Sequence, residues 1–338
     1  MERTYDYQDY TVGWICGAEV EYVVACEMLD NEHSLLPNKG RDVNAYTLGN
    51  IGSHNIAIAC LPKGRYGAVS AATVAVNMLK TFEAIRIGLM VGVGGGAPSA
   101  KHDVRLGDVV VATPSAPQRL GGVMPYDYGK VIQEKTVEFM GHMNAAPSFL
   151  LTALIRLSRQ QGRTGNGIAE VIPKVIAGNR WLRKRCERPG EDRLYEATYI
   201  HASDRPCSAG CSGSALLSRT PRNPLEEDVS TVHFGTIASA DKLMKDAKIR
   251  DTLGAQYDVL CFEMEAAGLM NNFPCLVIRG ISNYSDTHKN DIWIGYAAAA
   301  AAVYAKQLLQ SIPPADIERR NKASDEMQKM EELSGYTP

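Results

Sequence analysis

An α/β fold of three layers, with helices on both faces of a central mixed sheet, is predicted by three observations on this 338-residue chain. Short apolar runs rich in β-branched residues recur along it, and helical patterns lie between them. Several of those runs are apolar at consecutive rather than alternate positions, as strands buried on both faces are. The runs are TVGWIC (11–16), NIAIACL (55–61), RIGLMVGVGG (86–95), DVVVATP (108–114), TVHFGTIAS (231–239), YDVLCFEM (257–264) and PCLVIRGIS (274–282). The helical patterns are AEVEYVVACEML (18–29), GAVSAATVAVNMLKTF (67–82), PSFLLTALIRLSRQ (147–160), DKLMKDAKIRDTLG (241–254), EAAGLMNN (265–272) and IGYAAAAAAVYAKQLLQSI (294–312). The six alanines at 297–302 read as close helix packing, since alanine has the highest helix propensity.

One domain over residues 10–312 is expected. Within it, residues 114–232 read as an elaborated insertion. They hold GGVMPYDYGKV, one amphipathic helix, the charged WLRKRCERPGEDRLYEA and the loop-like SDRPCSAGCSGSALLSRTPRNPLEED. Residues 313–338 open with prolines and are densely charged, which reads as a tail, a linker or a frayed helix.

Composition narrows the function classes. A net charge of −2 and a pI near 6.4 give no general attraction for nucleic acid or anionic membrane. No apolar run reaches the roughly 18 residues of a membrane span, and the N-terminus lacks a basic region followed by an apolar one, so a soluble cytoplasmic protein is expected. The eight cysteines are scattered, several inside apolar runs, and read as reduced thiols. Cys207 and Cys211 have near metal-ligand spacing, yet neither a second cysteine pair nor a His-x-x-x-His completes four ligands, so no metal is expected. The histidines support no catalytic triad, and His233 and His288 read as hydrogen-bonded structural residues.

Three strand ends carry polar chemistry where apolar chain should continue. Glu19 and Glu21 follow the first strand, Glu263 and Glu265 close YDVLCFEM, and RGISNYSD (279–286) closes another. Ligands of α/β sheets bind at such carboxyl ends. A buried carboxylate is costly without partners, so these positions ask for donors, a cation or a ligand. VGVGGGAPS (91–99) invites close approach to backbone, but no helix follows directly, which disfavours a dinucleotide site. PKGRYG (62–67) precedes a helix whose N-terminus can cap itself or hold an anion.

The order CGAEVE, VGVGGGA, LGDVVVA, FEMEAAG and RGISNYSD resembles the nucleoside phosphorylase and nucleosidase superfamily over residues 10–311. It resembles in particular fungal members that occur alone or as N-terminal domains of immune-receptor-like proteins. The resemblance implies cleavage of a purine nucleoside's N-glycosidic bond, with no metal or redox cofactor and a homo-oligomeric state. It implies that Glu265 holds the ribose hydroxyls and Met264 packs on the sugar, leaving Glu263 the better claim to a structural role. Val93 and Gly94 fall in the glycine loop, Phe262 with Tyr126 and Tyr128 are the candidates for stacking on the base, and Asp241 matches a polar position near it.

The nucleophile divides this superfamily. Phosphorylases of the hexameric type carry an arginine in the first glycine loop, another before the central G-S-x-G, and a phosphate-binding serine. Here CGAEVE has no arginine, Met90 precedes Val91 and Gly92, and Val93 stands for the serine. Glu21 matches instead the water-activating glutamate of bacterial methylthioadenosine/adenosylhomocysteine nucleosidases. Hydrolysis is therefore expected over phosphorolysis, although Lys63 or Arg65 offers another route to phosphate. Where relatives have a proton-donating aspartate, this chain has Asn283, which hydrogen-bonds but does not titrate. Asparagine there resembles the trimeric phosphorylases and points to inosine and guanosine, with adenosine also possible. Asp286 is the candidate to orient Asn283 or to supply the acid. A weakly active nucleoside-sensing module is the alternative of another class.

Overall fold

The computed structural model describes all residues except 1–3, 116–119, 132–136, 140–142, 191, 202–204, 224–228, 327 and 329–338. The strands, in chain order, are β1 (Val12–Cys16), β2 (Asn31–Glu32), β3 (Tyr46–Ile51), β4 (His54–Cys60), β5 (Ile87–Gly96), β6 (Val109–Ala112), β7 (Val123–Pro125), β8 (Gly129–Val131), β9 (Val137–Phe139), β10 (Val232–Ser239), β11 (Val259–Glu263) and β12 (Cys275–Asn283). The helices are α1 (Glu19–Glu27), α2 (Ala68–Thr81), α3 (Ser148–Thr164), α4 (Ile168–Ile176), α5 (Arg180–Arg185), α6 (Cys207–Gly210), α7 (Ala247–Tyr257), α8 (Ile294–Gln310) and α9 (Pro314–Glu318).

The main sheet runs β11-β10-β6-β12-β5-β1-β4-β3-β2, with β7 added beside β10. It is mixed, as expected. β1 lies between β4 and β5 and is parallel to both, so that Trp14 pairs with Ile58 and Leu89. β12 is parallel to β5 and antiparallel to β6. β11 also meets the glycine-rich end of β5, through Cys261 with Gly96 and Phe262 with Gly95. This extra pairing closes β5, β12, β6, β10 and β11 on one another. Closure gathers the ends of β5, β11 and β12, which carry Val93, Glu263 and Asn283.

Helices cover both faces. α1, α3, α4 and α5 pack around α8, while α2 packs on β1 and β4. Ala297 to Ala302 are all buried within α8. The reason for alanine is spacing: a Cβ added at Gly280 of β12 would stand 1.8 Å from the Ala297 carbonyl oxygen. Helix and strand backbones are therefore nearly in contact, and no larger side chain fits between them.

The stretch 114–232 contributes to this body. β7 pairs with β10, and Leu150, Leu154 and Leu157 of α3 and Ile168, Ile172 and Ile176 of α4 join the main core. Asp108, fully buried before β6, ties the stretch down: it accepts from Arg222 at 2.6 Å, from His233 at 2.8 Å and from the Thr231 N–H. Past Pro313, α9 buries Ile317, and the Ala323 N–H donates to the Ile85 carbonyl at 2.8 Å. One helical expectation fails. EAAGLMNN forms only a single tight 3₁₀ turn at Ala266–Gly268. Among the described residues no helix is long and apolar enough to cross a membrane.

Candidate active site

Glu21 is built into the junction of β1 and α1. The residue before the helix, Ala18, has no side-chain oxygen, and Glu21, at the third helical position, turns back to take the backbone N–H groups just ahead of the helix, the reciprocal half of a capping box. One carboxylate oxygen accepts from the Gly17 and Ala18 N–H groups at 2.7 and 3.0 Å. The other accepts from the Val93 N–H at 2.8 Å, which ties the helix start to β5. Burial pushes the Glu21 pKa up, opposed by the Arg279 charge and by the three backbone donors.

Glu263 and Glu265 diverge at the end of β11, as a strand-to-turn junction permits. Glu263 turns inward, accepts from the Glu265 and Ala266 N–H groups, and is paired with Arg279 Nη2. Its capping of Ala266 explains why the turn starts there. Glu265 stands 3.3 Å from the same guanidinium and takes the Gly67 N–H from the start of α2. Burial pushes Glu265 to about 7, with Arg279 pulling down and the Glu263 and Glu21 charges pushing up.

Arg279 is the residue that sequence reasoning passed over. It is 1% exposed in the middle of β12, yet it faces three carboxylates. Room for it comes from Gly92 on the neighbouring β5, where a Cβ would sit 2.4 Å from Nη1 and 2.7 Å from Glu21 Oε1. The signal was present: an arginine inside PCLVIRGIS requires anionic partners. Three carboxylates thus surround one guanidinium, and burial raises the proton affinity of two of them, Glu21 and Glu265.

These groups open on a cavity of about 410 Å³, a size that suits a small-molecule ligand. Of the expected residues, Glu21, Val93, Gly94, Phe262, Met264, Glu265 and Asn283 line it, together with Tyr126. Phe262 and Tyr126 meet edge to face, ring centres 5.5 Å apart. The Asn283 amide is held in orientation: its oxygen accepts from the Ser285 N–H at 2.9 Å and its nitrogen donates to Ser282 Oγ at 3.1 Å. Ser285 also lines the cavity, in a left-handed conformation (φ 54°), with its buried hydroxyl lacking a hydrogen bond. Lys242, Lys289 and Tyr66 complete the polar rim and were not expected.

Three expected residues lie outside this lining. Asp286 accepts from the His288 N–H and faces the His288 ring rather than Asn283. Asp241 caps α2, accepting from the Ala68 N–H at 2.7 Å, because Gly67 has no side chain to do so. Tyr128 is 65% exposed. Lys63 and Arg65 also stand off the cavity, Lys63 pairing with Glu19.

The raised Glu265 pKa gives a stability test. Between about pH 4.5 and 7 the folded chain holds a proton there that the unfolded chain has lost, so stability falls as pH rises through that window. Glu265→Gln cannot ionise. Its melting temperature is expected to gain on the parent by a few degrees between pH 5 and pH 7.5, measured by calorimetry without ligand; a constant difference counts against a strained carboxylate.

No protein-family model matches the chain. A nucleotide-binding leucine-rich repeat (NLR)-like protein of Hyaloscypha variabilis is 42% identical over 308 residues, which are 91% of this chain and 30% of that one. An Escherichia coli protein named ATP nucleosidase Cap17 is 30% identical over 122 residues, 33% of this chain and 24% of its own length. The chain thus spans less than a third of either relative. Among solved structures, futalosine hydrolase of Helicobacter pylori superposes with a TM-score of 0.58 at 15% identity, covering 91% of this chain and all of the other. The 5′-methylthioadenosine/S-adenosylhomocysteine nucleosidase of Neisseria meningitidis gives 0.57 at 17%, covering 89% and 99%.

Proposed function

From a chain with the fold of the nucleoside phosphorylase and nucleosidase superfamily, we propose a purine nucleosidase that hydrolyses the N-glycosidic bond to free base and a ribose product. The observation that carries this reading is the set of three carboxylates, Glu21, Glu263 and Glu265, that line the cavity in front of the buried Arg279 guanidinium. Breaking the bond makes the sugar cationic and the base anionic, so ionised Glu265 beneath the ribose binds the transition state more tightly than the neutral substrate. Glu21, fixed by three N–H groups, keeps one free lone pair, on Oε1, for one water and takes its proton as the water attacks the anomeric carbon. Asn283 donates its second amide hydrogen to the departing purine, and Phe262 with Tyr126 provides the apolar wall for the base. The same carboxylates disfavour phosphate as the nucleophile, because they repel it in a site with little water.

Asn283 favours inosine and guanosine. A second reading rests on Lys242 and Lys289, two cations on the rim of an otherwise acidic cavity. They suit a 5′-phosphorylated purine such as ATP, the substrate in the name of the Escherichia coli relative. The experiment is chromatography of inosine, guanosine, adenosine and ATP incubated with purified protein, with and without inorganic phosphate. Free base formed in phosphate-free buffer supports hydrolysis. Turnover only with phosphate, giving a sugar 1-phosphate, makes the protein a phosphorylase; binding of intact nucleoside without turnover makes it a sensor. The substrate turned over fastest decides between the nucleoside and nucleotide readings.

A further inference from the structure

We propose that His201, Cys207 and Cys211 bind a divalent transition metal, zinc by the softness of the donors, with His288 as the fourth ligand. The three donor atoms lie within 4.8 Å of one another. His201 Nδ1 is 3.0 Å from Cys211 Sγ and 3.8 Å from Cys207 Sγ. Tetrahedral zinc, with Zn–S of about 2.3 Å and Zn–N of about 2.0–2.1 Å, places its ligands roughly 3.5–3.8 Å apart, so little movement is needed.

A second observation comes from a different part of the chain. His288 is 7% exposed, and its Nε2 is buried without a hydrogen bond. Its ring centre is 5.6 Å from that of His201, its carbonyl is 3.9 Å from Cys207 Sγ, and Tyr195 stacks on it at 4.1 Å. A desolvated ring nitrogen without a partner is costly, and a cation on Nε2 relieves that cost. Asp286 Oδ2, 3.4 Å from His288 Nδ1, stands as the carboxylate partner that metal-bound histidines commonly have. Two thiolates and two neutral imidazoles around zinc make a closed, uncharged structural site.

The consequence is a clamp on the edge of the cavity. The His201 N–H already donates to Thr287 Oγ1 at 2.9 Å. Metal at this point fastens His201 and the short α6 to the end of β12 and the segment after it, whose residues Asn283, Ser285 and Lys289 line the cavity. Sequence spacing hid the set, because the cysteines and the second histidine belong to distant segments.

The test is elemental analysis of the full chain purified reduced and without chelator, beside the visible spectrum after reconstitution with cobalt(II). One equivalent of zinc per chain and the intense bands of tetrahedral thiolate-bound cobalt are expected. Cys207→Ser/Cys211→Ser should lose both, while Cys26→Ser keeps both. His288→Ala should weaken zinc binding at least tenfold, and unchanged affinity would remove His288 from the set. Absence of both metal and cobalt bands in the unsubstituted reduced chain overturns the proposal, whether or not the variants fold.

Discussion

Glu21→Gln is expected to lower kcat by about 10³, within the 10²–10⁴ typical of a positioned general base, while nucleoside binding stays within a few-fold. Two roles compete for this carboxylate. As a helix cap it completes the start of α1 and bridges to Val93. As a base it must be ionised and able to take a proton, and burial raises its affinity for one. Glutamine keeps the shape but offers a single acceptor to three N–H groups, so one backbone donor is left unmatched at a cost of roughly 1–3 kcal/mol. A capping role alone predicts a lower melting temperature and nearly normal kcat. A catalytic role predicts the large loss in kcat at a temperature where the variant is fully folded, and with it a less steep acidic limb of the pH–rate profile, the part that remains belonging to Glu265 near 7. That limb should lie above the ordinary glutamate range, since the Glu21 pKa is raised and activity requires the deprotonated form. Less than a tenfold change in kcat would return Glu21 to structure alone.

The parts of this molecule legible in the sequence are those whose cause is local. β1, β4, β5, β6, β10, β11 and β12 were readable as apolar runs, and α8 as an alanine-rich helix, because burial on both faces writes itself into consecutive residues. The edge strands β2 and β3 and the short β7 follow from pairing rather than from their own residues. α4 was hidden by Pro173 within it and by the glycines just before it. EAAGLMNN has helical composition, but a Cβ at Gly268 would stand 2.0 Å from the Ala68 carbonyl oxygen, so α2 passes too close for a regular helix to continue. Within the site, Glu21, Glu265 and Asn283 were found because each lies at or just past the carboxyl end of a strand and matches a motif of the superfamily that the chain resembles. Asp241 and Asp286 also sit near strand ends, but each spends its carboxylate on a neighbour, a helix start in one case and His288 in the other. Whether a polar side chain faces a cavity or a backbone donor is decided by packing between distant segments, and one chain read alone does not show that packing.

Arg279→Met should cost about 3–5 kcal/mol at pH 8, the range for removing one partner of a buried ion pair. The reason is the company left behind. Glu263, Glu265 and Glu21 all feel the guanidinium, and Glu263 is nearly as buried as Arg279 itself. Glu21 and Glu265 already have raised pKa values that the Arg279 charge pulls down, so without it both hold protons still more tightly in the folded chain than in the unfolded one. A group whose folded pKa is raised loses stability as pH rises above its unfolded value, so the defect must grow from pH 5 to pH 8. Urea unfolding at the two pH values measures it directly. A smaller loss at pH 5, with part of the pH 8 loss recovered in Arg279→Met/Glu263→Gln, identifies the effect as charge left uncompensated. Equal losses at both pH values would mean that Arg279 acts by filling space. Arg279→Lys separates charge from geometry, because an ammonium restores the positive charge without the longer, planar guanidinium whose Nη2 donates to both Glu263 and Glu265. Arg279 thus offsets part of the charge that Glu21, Glu263 and Glu265 would otherwise bury unpaired, and the two variants together measure how much of the fold depends on that compensation.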